Sequence, residues 1–240
     1  MSSDIWKMQL GELSTHRLIS MDLPGHGRSE ISAAGFSITE CSQSLIELLG
    51  SLGIDTAVVL GWSLGAFIAV EMSSRFKANV AALALVSPTP RFVNDVDFHH
   101  GLSPEEARGM AAKVQRNIKR ALAGFQSLMI APGETVVSGY EELIESLAMP
   151  TTEVALQSLQ ALVDADMRWA LAAIDCPTLI LHGDQDRICL PLAAEFMQRL
   201  IPDSRRIVFA GCGHVPFITQ SKIFNNKLNE FMGWVRGIAN

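Results

Sequence analysis

Gly61-Trp62-Ser63-Leu64-Gly65 places a serine two residues from a glycine on either side. It follows the apolar run Ala57–Leu60 and precedes Ala66–Met72, whose pattern is helical. A sharp turn from strand to helix would hold the hydroxyl exposed on a strained corner, and the glycines would let neighbouring backbone come close. An ordinary glycine-rich turn can carry the same five residues, so the flanking strand and helix carry the reading rather than the motif alone. A serine hydroxyl is a weak nucleophile at neutral pH and needs a base within hydrogen-bond reach. Of the six histidines, His214 is the best placed. It lies just past the run Arg206–Phe209, in Ala-Gly-Cys-Gly-His-Val-Pro-Phe, where glycines allow a loop to turn back over a sheet edge. His182 ends an apolar run and is expected to face the core; His16, His26, His99 and His100 have no comparable placement. The histidine in turn needs a carboxylate to fix its tautomer and stabilise the imidazolium formed during attack. Asp184 and Asp186 both follow the run ending at Gly183. Asp186, three residues past the glycine, has the reach to fold back, whereas Asp184 is the alternative and otherwise a turn-capping group. Ser63 is therefore expected as nucleophile, His214 as base and Asp186 as the orienting acid. The N–H of Leu64 is expected to be one donor to the oxyanion.

These groups must be carried by alternating strands and helices, the pattern of a parallel sheet covered on both faces. Arg17–Met21 reads as a short strand feeding the glycine turn Asp22–Ser29. A helix follows, with Thr39 as N-cap, a stripe at Cys41, Leu45, Leu48, Leu49 and Leu52, and Gly53 as its stop. Strands are expected at Ala57–Leu60, Ala81–Val86, Thr178–Leu181 and Arg206–Phe209, with a helix over Ala66–Phe76. A last helix over Ser221–Ile238 puts Phe224, Leu228, Phe231, Val235 and Ile238 on one face. Residues 91–170 show no strand pattern and read as a helical lid inserted into a core made of 1–90 and 171–240. Its strongest element is a helix over Pro104–Ile130 with an apolar stripe from Val114 to Met129. On the other side Lys113, Arg116 and Arg120 lie within about 60° of one another at 100° per residue.

The 240 residues, 48% hydrophobic and 18% charged, suffice for one domain with a large core. A net charge of −6 provides no global field to gather nucleic acid. Cys41, Cys176, Cys189 and Cys212 have neither paired nor metal-ligand spacing and read as free thiols, so no metal and no cofactor are expected. The opening residues carry Asp4 and Lys7 without an apolar segment, and the longest uncharged apolar stretch, Thr56–Val70, is too short for a bilayer. A cytoplasmic protein without membrane partners is the expectation.

Taken together, Asp22-Leu-Pro-Gly-His-Gly-Arg-Ser29, the serine corner, Cys176–Gly183 with Asp186, and Gly213-His-Val-Pro-Phe217 resemble the α/β-hydrolase family along nearly the whole chain. The resemblance implies a mostly parallel sheet of about eight strands with helices on both faces and a helical lid. Within that family, Leu60-Gly-Trp-Ser-Leu-Gly65 and the terminal His-Val-Pro-Phe-Ile are most similar to the pimeloyl-acyl-carrier-protein methyl ester carboxylesterases of biotin synthesis. That likeness implies hydrolysis of a carboxylic ester through an acyl-enzyme. Trp62 and Phe217 would then lie at the substrate, and Arg116 and Arg120 would meet an acidic carrier protein. Against the carrier grip, Val137 and Glu141 stand where a second pair of arginines is expected. A general small-ester or C–C-bond hydrolase, and a degenerate hydrolase fold kept as a binding module, are the alternatives.

One piece has no counterpart. The family's second oxyanion donor comes from a His-Gly loop after an earlier strand, and no such strand or loop precedes Arg17. The resemblance therefore implies a natural protein that begins upstream. It also implies a gap between Arg17–Met21 and Ala57–Leu60 that either closes or is filled.

Overall fold

The computed structural model describes residues 2–13, 16–31, 33 and 35–239, with the side chains of residues 238 and 239 outside that set. After a single turn at Ser3–Trp6 the chain runs through α1 (Lys7–Leu10), α2 (Ile38–Ser51), β1 (Ala57–Trp62), α3 (Leu64–Arg75) and β2 (Val80–Val86). The insertion follows, with α4 (Pro104–Arg116), α5 (Ile118–Met129), α6 (Tyr140–Ser146), α7 (Thr152–Asp164) and α8 (Arg168–Leu171). The chain closes with β3 (Thr178–Gly183), α9 (Pro191–Leu200), β4 (Ser204–Phe209), α10 (Pro216–Thr219) and α11 (Ser221–Ala239).

The four strands form one parallel sheet in the order β1-β2-β3-β4, with Leu60 opposite Ala84, Leu85 opposite Ile180 and Leu181 opposite Ile207. Helices cover both faces: α2 packs on α3, which lies against β1 and β2, while α1 and α10 pack on α11, which also lies against β2. The centre of the sheet explains its own composition. β2 (VAALALV) and β3 (TLILHG) are continuous runs with almost nothing exposed, as strands covered on both sides must be. Because the sheet is parallel, all four carboxyl ends meet at one edge, where open α/β sheets bind ligands. Ser63, Ser87, Asp186 and His214 all lie in the segments that leave those ends.

The structure corrects several expectations. Four strands form among the described residues rather than about eight, and Arg17–Met21 is not one of them. A strand needs a partner for its ladder, and this segment pairs with no strand among the described residues. β1 stays half-buried at the edge of the sheet, and Leu18–Met21 and Ala57–Trp62 both line a cavity of about 1150 Å³. The first long helix is capped by Ser37, whose hydroxyl accepts from Glu40 N, rather than by Thr39. Gly53, at φ +65°, takes the left-handed position beyond its end. The helix expected over Pro104–Ile130 is broken at Asn117, which has extended backbone and caps α5 by accepting from Arg120 N at 3.0 Å. Ile238, the last residue of the expected α11 stripe, lies outside the described side chains.

Both stems of the insertion are fastened together. Met167 N donates to Pro90 O at 2.8 Å, Arg91 meets Asp166 at 3.0 Å, and Arg168 meets Asp95 at 2.8 Å and Asp166 at 2.6 Å. The helices between these points thus stand on a closed base of four alternating charges.

Candidate active site

Ser63 sits where β1 ends and α3 begins, at φ 52° and ψ −113°. A non-glycine residue held there costs roughly 1–3 kcal/mol and persists only when its surroundings enforce it. Here they do so through a single close approach. A Cβ on Gly61 would stand 2.2 Å from the carbonyl oxygen of Gly65, so the turn can be this tight only with glycine at position 61. Ser63 N donates to Val86 O at 3.0 Å, tying the corner to the end of β2. Leu64 is the first residue of α3, so its N–H has no acceptor within the helix and lies at the positive end of the helix dipole.

His214 is held at four points. Its Nδ1 donates to Asp186 Oδ2 at 2.7 Å, and its N–H donates to Met129 O at 2.7 Å. Its carbonyl accepts from Trp62 Nε1 at 2.9 Å and from Ser87 Oγ at 3.0 Å. The ring is wholly buried, 5.3 Å from the Trp62 ring by centroid. Because the carboxylate accepts a hydrogen bond from the protonated Nδ1, the lone pair is on Nε2, which has no hydrogen-bond partner among the described residues. The Ser63 hydroxyl rests instead beside the Cys189 thiol. Hydrogen bonds between nucleophile and base are often loose without substrate.

Asp186 is buried, which by itself would raise its pKa. The His214 imidazole, and His182 with it, outweigh that and hold the carboxyl well below the usual carboxylate range. Oδ1 accepts from Ile188 N at 2.8 Å and Cys189 N at 3.1 Å, so the loop wraps the carboxylate and aims Oδ2 at the imidazole. The other aspartate does different work: Asp184 is exposed and accepts from Gly211 N at 2.7 Å, pinning the next turn.

Three participants carry no clear mark in the sequence. His182 is core-facing, as expected. It also donates from Nε2 to Cys189 O at 2.8 Å and lies 3.3 Å from Asp186 Oδ2, so it braces the acid loop. Ser87, at φ 47°, ends β2 as Ser63 ends β1. Its position after a buried strand is the one signal that could have found it. Glu134, far off in the insertion, reaches Gly213 N at 2.9 Å, and nothing local marks it.

The residues expected at the substrate divide. Trp62 lines the large cavity, but its indole N–H is spent on the histidine loop. Phe217 is fully buried, with its ring centroid 4.4 Å from that of Trp6 and 5.2 Å from that of Trp62, and is not among the residues lining that cavity. Lys113, Arg116 and Arg120 line the same cavity as Ser63, although the break at Asn117 puts the third on a different helix from the first two. Glu141 is on α6 with Glu142 and Glu145, and all three are exposed. Among the described residues no group of three metal-ligating side chains converges, and no helix is long and apolar enough to cross a membrane.

A sharp serine corner, a buried imidazole and a carboxylate at the carboxyl edge of a parallel sheet define a class. The chain belongs to the α/β-hydrolase-fold family, whose model matches residues 1–221. Among individual relatives, it is similar to the pimeloyl-[acyl-carrier protein] methyl ester esterase of Nitrosospira multiformis. The two are 30% identical over 238 residues, covering 96% of this chain and 90% of that protein. The protein of the same description from Sodalis glossinidius is 31% identical over 235 residues, covering 96% and 89%. Among solved structures, an esterase from Exiguobacterium antarcticum matches with a TM-score of 0.88 at 26% identity, covering 98% of this chain and 88% of that one. A bromoperoxidase from Bacillus anthracis matches at 0.89 with 22% identity, covering 97% and 88%, a likeness of fold alone.

Proposed function

We propose that this chain is a serine carboxylesterase acting on the methyl ester of an acyl chain carried by an acyl carrier protein, as the names of its relatives describe for them. The observation that carries the reading is the pairing of His214 Nδ1 with Asp186 at 2.7 Å, which leaves Nε2 unpartnered in a ring packed against the residue before Ser63. In this mechanism Ser63 Oγ attacks the ester carbonyl carbon while its proton passes to Nε2. The carbonyl oxygen becomes an oxyanion and is met by Leu64 N–H. The C–O bond to the alcohol then breaks, methanol leaves with the proton from Nε2, and an acyl-Ser63 remains. Water, deprotonated by His214, attacks the acyl carbon; the C–Oγ bond breaks, Ser63 Oγ takes the proton back from Nε2, and the acid leaves. Asp186 stays ionised and stabilises the imidazolium at both stages.

Residues 91–170 act as the lid over this site, with Lys113, Arg116 and Arg120 lining the cavity that reaches the nucleophile. Acyl carrier proteins are acidic, and beyond about 8 Å bulk charge is screened at physiological salt. The local basic patch can therefore dock one despite the net charge of −6. The test is methanol release from free and carrier-linked methyl esters at low salt, with Arg116→Ala/Arg120→Ala beside the wild type. Selective loss of the carrier-linked activity is the expected result. Equal activity on both substrates before and after the change rejects the carrier. A second reading, a small-ester hydrolase without a carrier, is favoured by Glu141, Glu142 and Glu145, which lie on the exposed face of α6 and would repel an acidic partner.

A further inference from the structure

The insertion and the histidine loop are joined by a bonded strap. Met129 closes α5, and the turn after it, residues 130–134, lies directly on Gly213 and His214. His214 N donates to Met129 O at 2.7 Å. Glu134 Oε2 accepts from Gly213 N at 2.9 Å and from Ala131 N at 2.7 Å, so one carboxylate oxygen holds both sides together. The approach is too close for any side chain at position 213, where a Cβ would fall 2.3 Å from Met129 O. The acid loop is caught by the same turn, since Arg187 Nη2 donates to Ile130 O at 3.3 Å. The second oxygen, Oε1, is buried without a hydrogen-bond partner in the described residues.

A carboxylate half-buried at such a place carries a cost, because it exchanges water for two amides and leaves one buried oxygen poorly satisfied. An apolar side chain could close the turn at lower cost, but it could not grip the amide next to the imidazole-bearing residue. We infer that Glu134 is a positioning residue for His214: its carboxylate sets the height of the histidine loop, and so carries any movement of α4 and α5 directly to Nε2. This rests on the reading of Ser63 and His214 as nucleophile and base. Glu134 touches neither the substrate nor the reacting atoms in that scheme. Its effect is therefore on the rate of the chemical step, with substrate binding left largely alone.

The experiment compares wild type, Glu134→Ala, Glu134→Gln and Glu134→Asp on p-nitrophenyl butyrate, with kcat and KM separated. Labelling of wild-type Ser63 by a fluorophosphonate serves as the independent check on the underlying reading. Glu134→Ala is expected to lower kcat about 10- to 100-fold, the cost of misplacing a catalytic group by an ångström or less, with KM within about threefold. Glu134→Gln is expected to recover kcat to within about threefold of wild type, since its amide oxygen still accepts from both N–H groups. If Glu134→Ala does not fold, Glu134→Asp keeps the charge but withdraws it by one methylene, and the same fall in kcat at constant KM is expected. An unchanged kcat in the folded Ala or Asp variant, or a Gln variant that folds and is as slow as Ala, overturns the inference while a labelled wild type leaves the esterase reading standing. An unlabelled wild type overturns both.

Discussion

Gly183→Ala tests whether the acid and histidine loops are held in register by direct backbone contact. Gly183 ends β3, and a Cβ there would lie 2.1 Å from Gly213 O and 2.3 Å from Cys212 O. Ordinary contact begins near 3.4 Å, so strand end and loop must part by about 1.3 Å. Neither neighbour is a flexible side chain, and Gln185 N and Asp184 N are bonded to Cys212 O and Phe209 O at 2.9 and 3.0 Å, so the strain cannot be dispersed locally. Overpacking of this kind costs about 1–3 kcal/mol, and at roughly 2–4 °C per kcal/mol for a chain of this size the melting temperature should fall by several degrees. The larger effect is on chemistry. The 2.7 Å bond between His214 and Asp186 bridges the two segments that are pushed apart, and a displacement of an ångström at a catalytic group can cost about 10² in rate. The assay is kcat on p-nitrophenyl butyrate beside thermal unfolding by circular dichroism, with Gly109→Ala as control. Gly109 is in α4, where an added Cβ would meet nothing within 4 Å, so alanine there should be neutral to slightly stabilising. A Gly183→Ala protein with unchanged melting and kcat within about threefold of wild type would refute the reasoning.

Further outcomes follow from single residues. Burial pushes the His26 imidazole down from 6.5 to about 4, so as pH falls the unfolded chain takes the proton first. Stability is therefore intact above pH 6.5, erodes between 6.5 and 4, and is lost in full below that, by about 3 kcal/mol. His26→Gln should flatten this part of the urea-midpoint profile, and an unchanged slope counts against it. Asp186→Asn should keep the fold but lower kcat by about 10⁴, because the amide no longer enforces the proton on Nδ1. A loss below about tenfold would remove Asp186 from the proposed role. Asp186 is held well below the usual carboxylate range, so its contribution to stability is present above the normal aspartate pKa and fades only as pH drops beneath it.

What can be read from the chain differs from element to element for physical reasons. The corner at Ser63 and the glycine loop before His214 are legible because tight turns demand particular residues at particular offsets. The proximity of Asp186 to His214 follows from where loops leave a parallel sheet. Contacts made by ordinary residues across the fold are not legible. Ser87, His182 and Glu134 join the site through spacings of 127, 7 and 79 residues. The break at Asn117 is hidden because the apolar stripe runs through it, although an asparagine three residues before Arg120 is a capping signal. Arg17–Met21 has the composition of a strand, but a strand is made by its neighbour, and here the neighbouring space is a cavity. The motif gives the position of Phe217 in the loop but not its packing between Trp6 and Trp62.

The central claim is that the hydroxyl on the strained corner forms a covalent intermediate. Intact-mass and peptide mass spectrometry after treatment with a fluorophosphonate would read this directly. One adduct per chain, located on Ser63 and abolished in Ser63→Ala and His214→Ala, is the predicted result. Adduct on another residue, or none on a folded wild-type protein, would contradict the account.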